Sequence, residues 1–228
     1  FGTMGDFDQL LSSIHQRGMK LILDLVVNHT SDEHPWFIES KSSKASAKRN
    51  CYIWADPKPD GSEPNNWESI FNGSTWEFDE STKQYYFHLF SKKQPDLNWE
   101  NPDVRQAVFD MMNWWFEKGI DGFRVDAITH IKKNFEAGDL PIPDGKKFAP
   151  AFDVDMNQPG IQEWLQEMKD KSLSRYDIMT VGEANGVTPN DAEEWVGEEK
   201  GKFNMIFQFE HLGLWSTGDT KFDVKSYK

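Results

Sequence analysis

Two short apolar segments of the sequence each end in a carboxylate. In the first, Gly122 to Asp126, Arg124 and Asp126 are two residues apart, and the second segment ends at Glu183. Side chains two apart on a strand share one face, so a strand here would put the Arg124 guanidinium beside the Asp126 carboxylate. A neighbouring cation favours the ionised form of a carboxylate, which suits a nucleophile. Glu183 could then be the proton donor of a glycosidase that uses paired carboxylates.

The same residue types also allow a structural interpretation. Arg124 and Asp126 could form a buried ion pair without a catalytic role, and Glu183 could be a surface residue or a cap. A third region contains Asp24 within an apolar run and His29 shortly after it, and a histidine in such a place is often a hydrogen-bonded structural residue. All of these side chains lie at or just beyond the ends of predicted strands. In α/β barrels that end carries the active site.

The elements that must position these residues alternate between apolar strands and amphipathic helices. We predict helices over about residues 6–16, from 101, from about 159 and over about 189–196. We predict strands over residues 20–27, 122–125, 178–181 and 203–207. The strand at 20–27 is almost continuously apolar, which is typical of a parallel strand covered on both faces. A polar stretch over about 30–100 contains a predicted hairpin, so the pattern indicates a parallel α/β protein with a large insertion after one strand.

Composition narrows the classes of partner. The chain has 228 residues with 25 basic and 38 acidic side chains, and the net charge of −13 disfavours nucleic acid as a partner. No run approaches the roughly 20 apolar residues of a membrane span, so we expect no membrane contact. Cys51 is the single cysteine, which fits a reducing compartment, and we expect a cytoplasmic protein.

The sequence offers no metal site or cofactor motif. The segment from Asp153 to Asn157 imitates the start of a calcium loop. Gln158 and Trp164, however, stand where such a loop requires Gly and Glu. There is also no zinc spacing, glycine-rich phosphate loop or serine elbow. We therefore predict no metal and no cofactor.

Four segments, in order along the chain, resemble motifs of the α-amylase family of glycoside hydrolases, in particular its oligo-1,6-glucosidase and α-glucosidase branch. They are residues 24–29 (DLVVNH), 94–98 (QPDLN), 122–126 (GFRVD) and 182–184 (GEA). The resemblance implies a partial (β/α)8 TIM barrel, about strands 3–6, with an inserted B domain after strand 3. The implied domains are a barrel part over 1–29, the B domain over 30–100 and a second barrel part over 101–228.

The resemblance also implies a role for each site residue. Asp126 would attack the anomeric carbon, and Glu183 would protonate the leaving oxygen and later deprotonate water, with retention. Arg124 would keep Asp126 charged and His29 would hydrogen-bond the sugar, while Asp24 would support the site. The residue after the nucleophile faces the leaving group in this branch. Val there tends to accompany α-1,6 preference and Ala or Thr α-1,4 preference, so Ala127 favours α-1,4 linkages.

The implied partner is an oligosaccharide substrate: maltose, isomaltose, or a short malto- or isomalto-oligosaccharide. Two alternatives stay open. One is a glucosyl-transferring enzyme of the same branch that isomerises sucrose or trehalose. The other is a non-enzymatic relative, such as the amylase-like ectodomain of a transporter heavy chain. The family's third catalytic carboxylate belongs to an Asn-His-Asp motif that is absent from this sequence. We therefore expect an internal fragment that is inactive, or nearly so, on its own.

Overall fold

The computed structural model describes residues 2–209, in which helices and strands alternate. The helices are α1 Met4–Gln16, α2 Pro35–Ser42, α3 Pro102–Glu117, α4 Phe152–Asp155, α5 Ile161–Lys171 and α6 Ala192–Val196. The strands are β1 Ile22–Val26, β2 Trp54–Ala55, β3 Trp76–Asp79, β4 Gln84–Phe87, β5 Gly122–Asp126, β6 Met179–Glu183 and β7 Met205–Phe207. Each predicted helix and strand is present in the described residues, with shifted ends.

The described chain divides into two compact units. The sheet unit comprises the described residues up to Leu25, the segment Ala107–Ile128, and the described residues from Gln162 onward. The hairpin unit comprises Val26–Gln106 and Thr129–Ile161. The domain boundaries that the sequence predicts, after residues 29 and 100, stay a prediction.

The sheet unit is built on four strands in the order β1-β5-β6-β7. β5 runs parallel to β6, and β6 runs parallel to β7, as the sequence predicts. Phe123 and Val125 are buried on one face of β5, where the Phe116 ring of α3 lies 4.8 Å from the Phe123 ring. Gly122 begins β5 opposite Met179 of β6. A Cβ atom there would lie 1.8 Å from the carbonyl oxygen of Met179, so only glycine fits.

The first strand departs from its predicted environment. Leu25 is buried, but Ile22 and Val26 on the opposite face of β1 are 37% and 42% exposed. The prediction of a strand covered on both faces is therefore wrong for the described residues. The physical reason is that the described residues leave the face of β1 that carries Ile22, Asp24 and Val26 largely exposed, whereas Leu25 packs on the other face.

Local signals in the sequence account for the ends of the long helices. Thr3 and Asp6 form a reciprocal capping box at the start of α1. The chain leaves α1 through Gly18, whose φ of +70° favours glycine. At the start of α3, the Asn101 side chain accepts a hydrogen bond from the backbone N–H of Asp103, and Pro102 occupies the first turn.

The hairpin unit carries a small antiparallel sheet in the order β2-β4-β3. Trp76 pairs with Phe87 and Asp79 with Gln84, which confirms the predicted hairpin. Its core is aromatic, and the ring of Phe135 stacks on that of Trp67 at 5.3 Å. The buried members of this core are Trp67, Trp76, Phe87, Leu89 and Ala151.

A single carboxylate ties together the segments that begin the strands of the sheet unit. Asp121 accepts hydrogen bonds from Lys20 Nζ at 2.7 Å and from the backbone N–H of Leu21 at 2.8 Å, and its other contact is His15 Nε2 at 2.8 Å. Burial opposes the charge on Asp121, but the bonds from Lys20, Leu21 and His15 outweigh it and lower the pKa to about 2. The backbone of Asp121 also bonds Leu21 and Met179, which fixes the relative positions of β1, β5 and β6.

We predict that Asp121→Asn lowers the free energy of unfolding of the full-length protein by about 2 kcal/mol, because charge-assisted hydrogen bonds are lost. Because the folded pKa lies below the ordinary 3.8, the Asp121 contribution is present above pH 4 and is lost as the pH falls toward 2. Urea unfolding at pH 7 and pH 3 measures both effects.

Asp8→Asn is the matched control, since Asp8 forms an exposed ion pair with Lys118 and should change stability by at most about 0.5 kcal/mol. Equal effects of the two substitutions would contradict the role given to Asp121.

Candidate active site

The centre of the candidate site is the Arg124 guanidinium, which binds three carboxylates. Nη1 donates to Asp24 at 2.8 Å and to Asp126 at 2.6 Å, and Nη2 donates to Glu183 at 2.6 Å. All four side chains belong to the sheet unit. Arg124 is 29% exposed, whereas Asp126 and Glu183 are each 23% exposed, so solvent and a ligand can reach the carboxylate pair.

Strand register explains why these side chains meet. Arg124 lies opposite Val181 and Val125 opposite Gly182, so one further step brings Asp126 to the level of Glu183. Alternation along β5 then places Arg124 and Asp126 on the face opposite to the buried Phe123. The sequence prediction that Arg124 lies beside Asp126 is thus matched by the geometry.

The surroundings of Glu183 and Arg124 shift the pKa values of both groups upward. Burial raises the pKa of Glu183, and a hydrogen bond with the Asp126 carboxyl raises it further. The Ala127 N–H and the Arg124 charge oppose this rise but do not reverse it. Burial also acts against the charge of Arg124, but its hydrogen bonds to Asp24 and Asp126 outweigh burial and raise the pKa of the guanidinium. The raised pKa suits Glu183 to hold a proton.

The backbone after β5 takes an uncommon conformation. Ala127 has a φ of +46°, a region that non-glycine residues rarely adopt, and its side chain is buried. This conformation directs the Ala127 N–H to the Glu183 Oε2 atom at 3.3 Å. One oxygen of Glu183 is therefore held by both Arg124 and the backbone, while the Asp126 carboxyl contacts the same side chain.

His29 belongs to the hairpin unit, where its ring is buried and bonded. Its Nδ1 lies 3.3 Å from Asn28 Nδ2, and its Nε2 lies 2.9 Å from the Gln94 amide. The Phe90 ring lies 5.2 Å from the imidazole, and Phe71, which is 62% exposed, contacts Phe90 at 5.9 Å. An exposed aromatic ring beside a polar imidazole is a suitable surface for a sugar ring.

A buried ion pair supports this region and was missed from the sequence. Lys133 Nζ lies 2.6 Å from Asp96 Oδ2, and both side chains are almost fully buried. Asn28 bonds both partners of the pair. Asn28 and Asp96 lie within the segments 24–29 and 94–98, whose resemblance to family motifs could have indicated them. Nothing in the Lys132-Lys133 dipeptide distinguishes the buried lysine from the half-buried one.

Two features, a metal site and a membrane-spanning helix, are absent from residues 2–209. Among these residues, no three His, Cys, Asp or Glu side chains are arranged to hold a metal ion. In the same part of the chain, no helix combines the length and the apolar character needed to cross a membrane.

Fold and site define a parallel α/β protein with an arginine-linked carboxylate pair at the carboxyl ends of neighbouring strands. The family model described as "Alpha amylase, catalytic domain" matches residues 1–228. The chain therefore belongs to the alpha-amylase family, and the predicted partial barrel is confirmed at the level of fold class.

Relatives agree with this membership. The chain is 62% identical to the probable oligo-1,6-glucosidase 3 of Bacillus subtilis (strain 168), with all of this chain and 41% of the relative covered. The crystal structure of Bacillus licheniformis trehalose-6-phosphate hydrolase superposes with a TM-score of 0.87 at 45% identity, covering 98% of this chain and 40% of that one. The isomaltulose synthase SmuA of Protaminobacter rubrum gives a TM-score of 0.84 at 42% identity, covering 93% and 37%. The chain thus spans about two fifths of the length of each.

We predict that Glu183→Gln does not lower the melting temperature of the full-length protein at pH 8 and raises it slightly. The raised pKa means that the fold favours the neutral form of Glu183, so stability is gained below this pKa and lost as the pH rises through it. An amide imitates the neutral form and removes this loss. Differential scanning calorimetry at pH 5 and pH 8 provides the measurement, with Glu80→Gln at an exposed surface pair as control. A clearly lower melting temperature for Glu183→Gln at pH 8 would refute the conclusion that the fold favours the neutral form of Glu183.

Proposed function

We propose that the full-length protein is a retaining, exo-acting α-glucosidase that releases terminal α-linked glucose from short oligosaccharides. The observation that carries the proposal is the Asp126–Glu183 pair, held by the two nitrogens of Arg124 at 2.6 Å each. Retaining glycosidases need carboxyl groups about 5 Å apart, whereas inverting enzymes leave a wider gap for water. Both carboxylates accept a hydrogen bond from the same guanidinium, and this shared partner supports a close pair of the retaining type.

Each carboxylate has its own role in the proposed reaction. An Asp126 oxygen attacks the anomeric carbon while the glycosidic C–O bond breaks, and the Glu183 proton moves to the leaving oxygen. Water then attacks the same carbon, gives its proton to Glu183 and releases Asp126. The raised pKa of Glu183 suits the first step, because the group must arrive protonated. The Arg124 charge stabilises Asp126 as an anion each time it is released.

The remaining predicted residues receive supporting roles in the proposal. Asp24 accepts a hydrogen bond from the same Nη1 atom that binds Asp126, and therefore fixes the guanidinium from the side of β1. His29 would donate or accept a hydrogen bond to a sugar hydroxyl, with Phe90 and Phe71 as the apolar surface for the ring. The last two aromatic rings were not among the residues predicted from the sequence.

We predict that Asp126→Asn lowers kcat of the full-length protein on maltose and on 4-nitrophenyl α-glucoside by at least about 10³-fold, since no covalent intermediate can form. Glu183→Gln should cost about 10²–10⁴-fold on maltose, whose leaving group needs a proton. Its cost should be smaller on 4-nitrophenyl α-glucoside, whose leaving group departs unprotonated.

Asp8→Asn, a carboxylate-to-amide change on the surface of α1, should leave both rates unchanged. Unchanged glucose release by Asp126→Asn would refute the nucleophile assignment, whereas no glucose release by the unsubstituted full-length protein would favour a non-enzymatic relative.

A second candidate function is transfer of the glucosyl group rather than its hydrolysis. The observation that favours it is the similarity to the isomaltulose synthase SmuA, with a TM-score of 0.84 at 42% identity. Both reactions would use the same carboxylates and differ in the acceptor, which is water in one case and a sugar hydroxyl in the other. Products formed from sucrose distinguish them, because a dominant isomerised disaccharide would refute hydrolysis.

The proposal includes a preference between α-1,4 and α-1,6 glycosidic linkages. The relative at 62% identity is named as an oligo-1,6-glucosidase, whereas Ala127 favours α-1,4 linkages in enzymes that this chain resembles. Ala127 is buried directly beside the carboxylate pair, where one methyl group contributes about 1–3 kcal/mol of discrimination. We give Ala127 the greater weight, because it is a contact at the site rather than a property of the whole chain.

We predict a higher kcat/KM on maltose than on isomaltose, and a shift of about tenfold or more toward isomaltose in Ala127→Val. Ala127→Gly serves as the matched control, because glycine accepts the positive φ without strain and adds no methyl group. Steady-state glucose release from both disaccharides gives the ratios. An unchanged ratio in Ala127→Val would remove this residue as a determinant of linkage preference.

A further inference from the structure

The His29 ring has an amide group at each nitrogen. Asn28 Nδ2 lies 3.3 Å from Nδ1, and the Gln94 amide lies 2.9 Å from Nε2. A neutral imidazole offers one donor and one acceptor, so the two amides cannot both donate to it. One amide must therefore present its oxygen to the ring, and the identity of that amide decides which ring nitrogen carries the proton.

Charged neighbours fix the orientation of Asn28. Its Oδ1 accepts a hydrogen bond from Lys133 Nζ at 2.9 Å, and its Nδ2 donates to Asp96 Oδ2 at 3.1 Å. Turning the amide over would place its NH2 group against an ammonium and its oxygen against a carboxylate. Asn28 and Asp96 are fully buried and the Lys133 side chain is 1% exposed, so water cannot relieve either contact. Asn28 must therefore donate to Nδ1.

The orientation of Gln94 is held much more weakly. Its Oε1 accepts one neutral hydrogen bond, from the backbone N–H of Ser91 at 3.3 Å. Amide orientations are decided by the network around them, and the weaker constraint gives way. Turning the Gln94 amide exchanges one long neutral bond for a hydrogen bond with the ring at the 2.9 Å separation of Nε2. The Nε2–H group of His29 then donates a hydrogen bond to the Gln94 oxygen.

We propose that the buried Lys133–Asp96 pair fixes the tautomer of His29 through Asn28, so that the ring proton is on Nε2. Lys133 is then a positioning residue, since it acts on the imidazole only through Asn28. The Nε2–H group donates to Gln94, or to the hydroxyl of a sugar that takes the place of the amide. The consequence for turnover rests on the proposed function, whereas the tautomer does not.

The tautomer is measured directly by NMR of the full-length protein labelled with 15N and 13C in histidine, at pH 8. His29→Gln assigns the signals. We expect Nε2 to have the chemical shift of a protonated nitrogen and Nδ1 that of an unprotonated one. A proton on Nδ1, or on both nitrogens, would overturn the proposal.

Three substitutions test whether Lys133 sets the tautomer of His29 and whether Gln94 accepts the Nε2 proton. Lys133→Met removes one of the two charges that orient Asn28 and leaves Asp96 as the other. We expect the Nδ1–H tautomer to become detectable beside the Nε2–H tautomer, together with a loss of about tenfold or more in kcat/KM. Lys132→Met removes the neighbouring lysine, which pairs with Glu100 at the surface, and should change neither quantity. Gln94→Glu supplies an acceptor to both Nε2 and the Ser91 N–H, so the Nε2–H tautomer should persist.

The outcomes also separate this proposal from the proposed function. If the ring proton is on Nε2 in the wild-type protein and the tautomers are mixed in Lys133→Met, the action of Lys133 on His29 through Asn28 is supported. This holds even if Asp126→Asn retains full activity. If Lys133→Met does not fold, the wild-type and Gln94→Glu spectra still decide, because loss of the Nε2–H signal in Gln94→Glu contradicts the acceptor role of Gln94.

Discussion

The hydrogen bonds of the Arg124 guanidinium are the contacts on which the arrangement of the candidate site depends. One positive charge faces the carboxylates of Asp24, Asp126 and Glu183. With all three ionised, the cluster would carry two uncompensated negative charges, so a proton on one member relieves the repulsion. Burial and contact with Asp126 select Glu183 as that member. The cation holds the three carboxylates together and opposes the proton on Glu183, whereas burial and the Asp126 carboxyl favour that proton.

Backbone contacts at the start of β5, the end opposite to the Arg124 cluster, determine where the cluster lies. Asp121 fixes the start of the strand against β1 and β6, and Gly122 permits a backbone approach that any Cβ atom would block. From that fixed start, each residue of β5 has a defined partner on β6, and the carboxyl ends arrive in register. A slip of one residue would turn Arg124 to the buried face. The geometry of the site is thus determined by contacts that take no part in its chemistry.

Short-range patterns in the sequence predict the part of the site that depends on short-range geometry. Alternation along β5 predicts that Arg124 lies beside Asp126, and the apolar runs predict the parallel strands that bring Glu183 near them. The Lys133–Asp96 pair could not be predicted in this way, because its members are distant in the chain and no periodicity relates them. The positive φ of Ala127 could not be predicted either, because alanine disfavours this conformation and no turn residue marks the position.

Charge balance distinguishes the two polar clusters. In the hairpin unit, one ammonium meets one carboxylate at 2.6 Å, and Asn28 and the backbone N–H of Leu89 supply further hydrogen bonds to Asp96. Removal of either partner of this buried pair would leave an isolated buried charge. Such a pair is suited to fixing the orientation of its neighbours. The Arg124 cluster is partly exposed and carries excess negative charge, so it can take up and release a proton. In the proposed reaction the proton transfers therefore take place in the Arg124 cluster, and the Lys133–Asp96 pair supports His29.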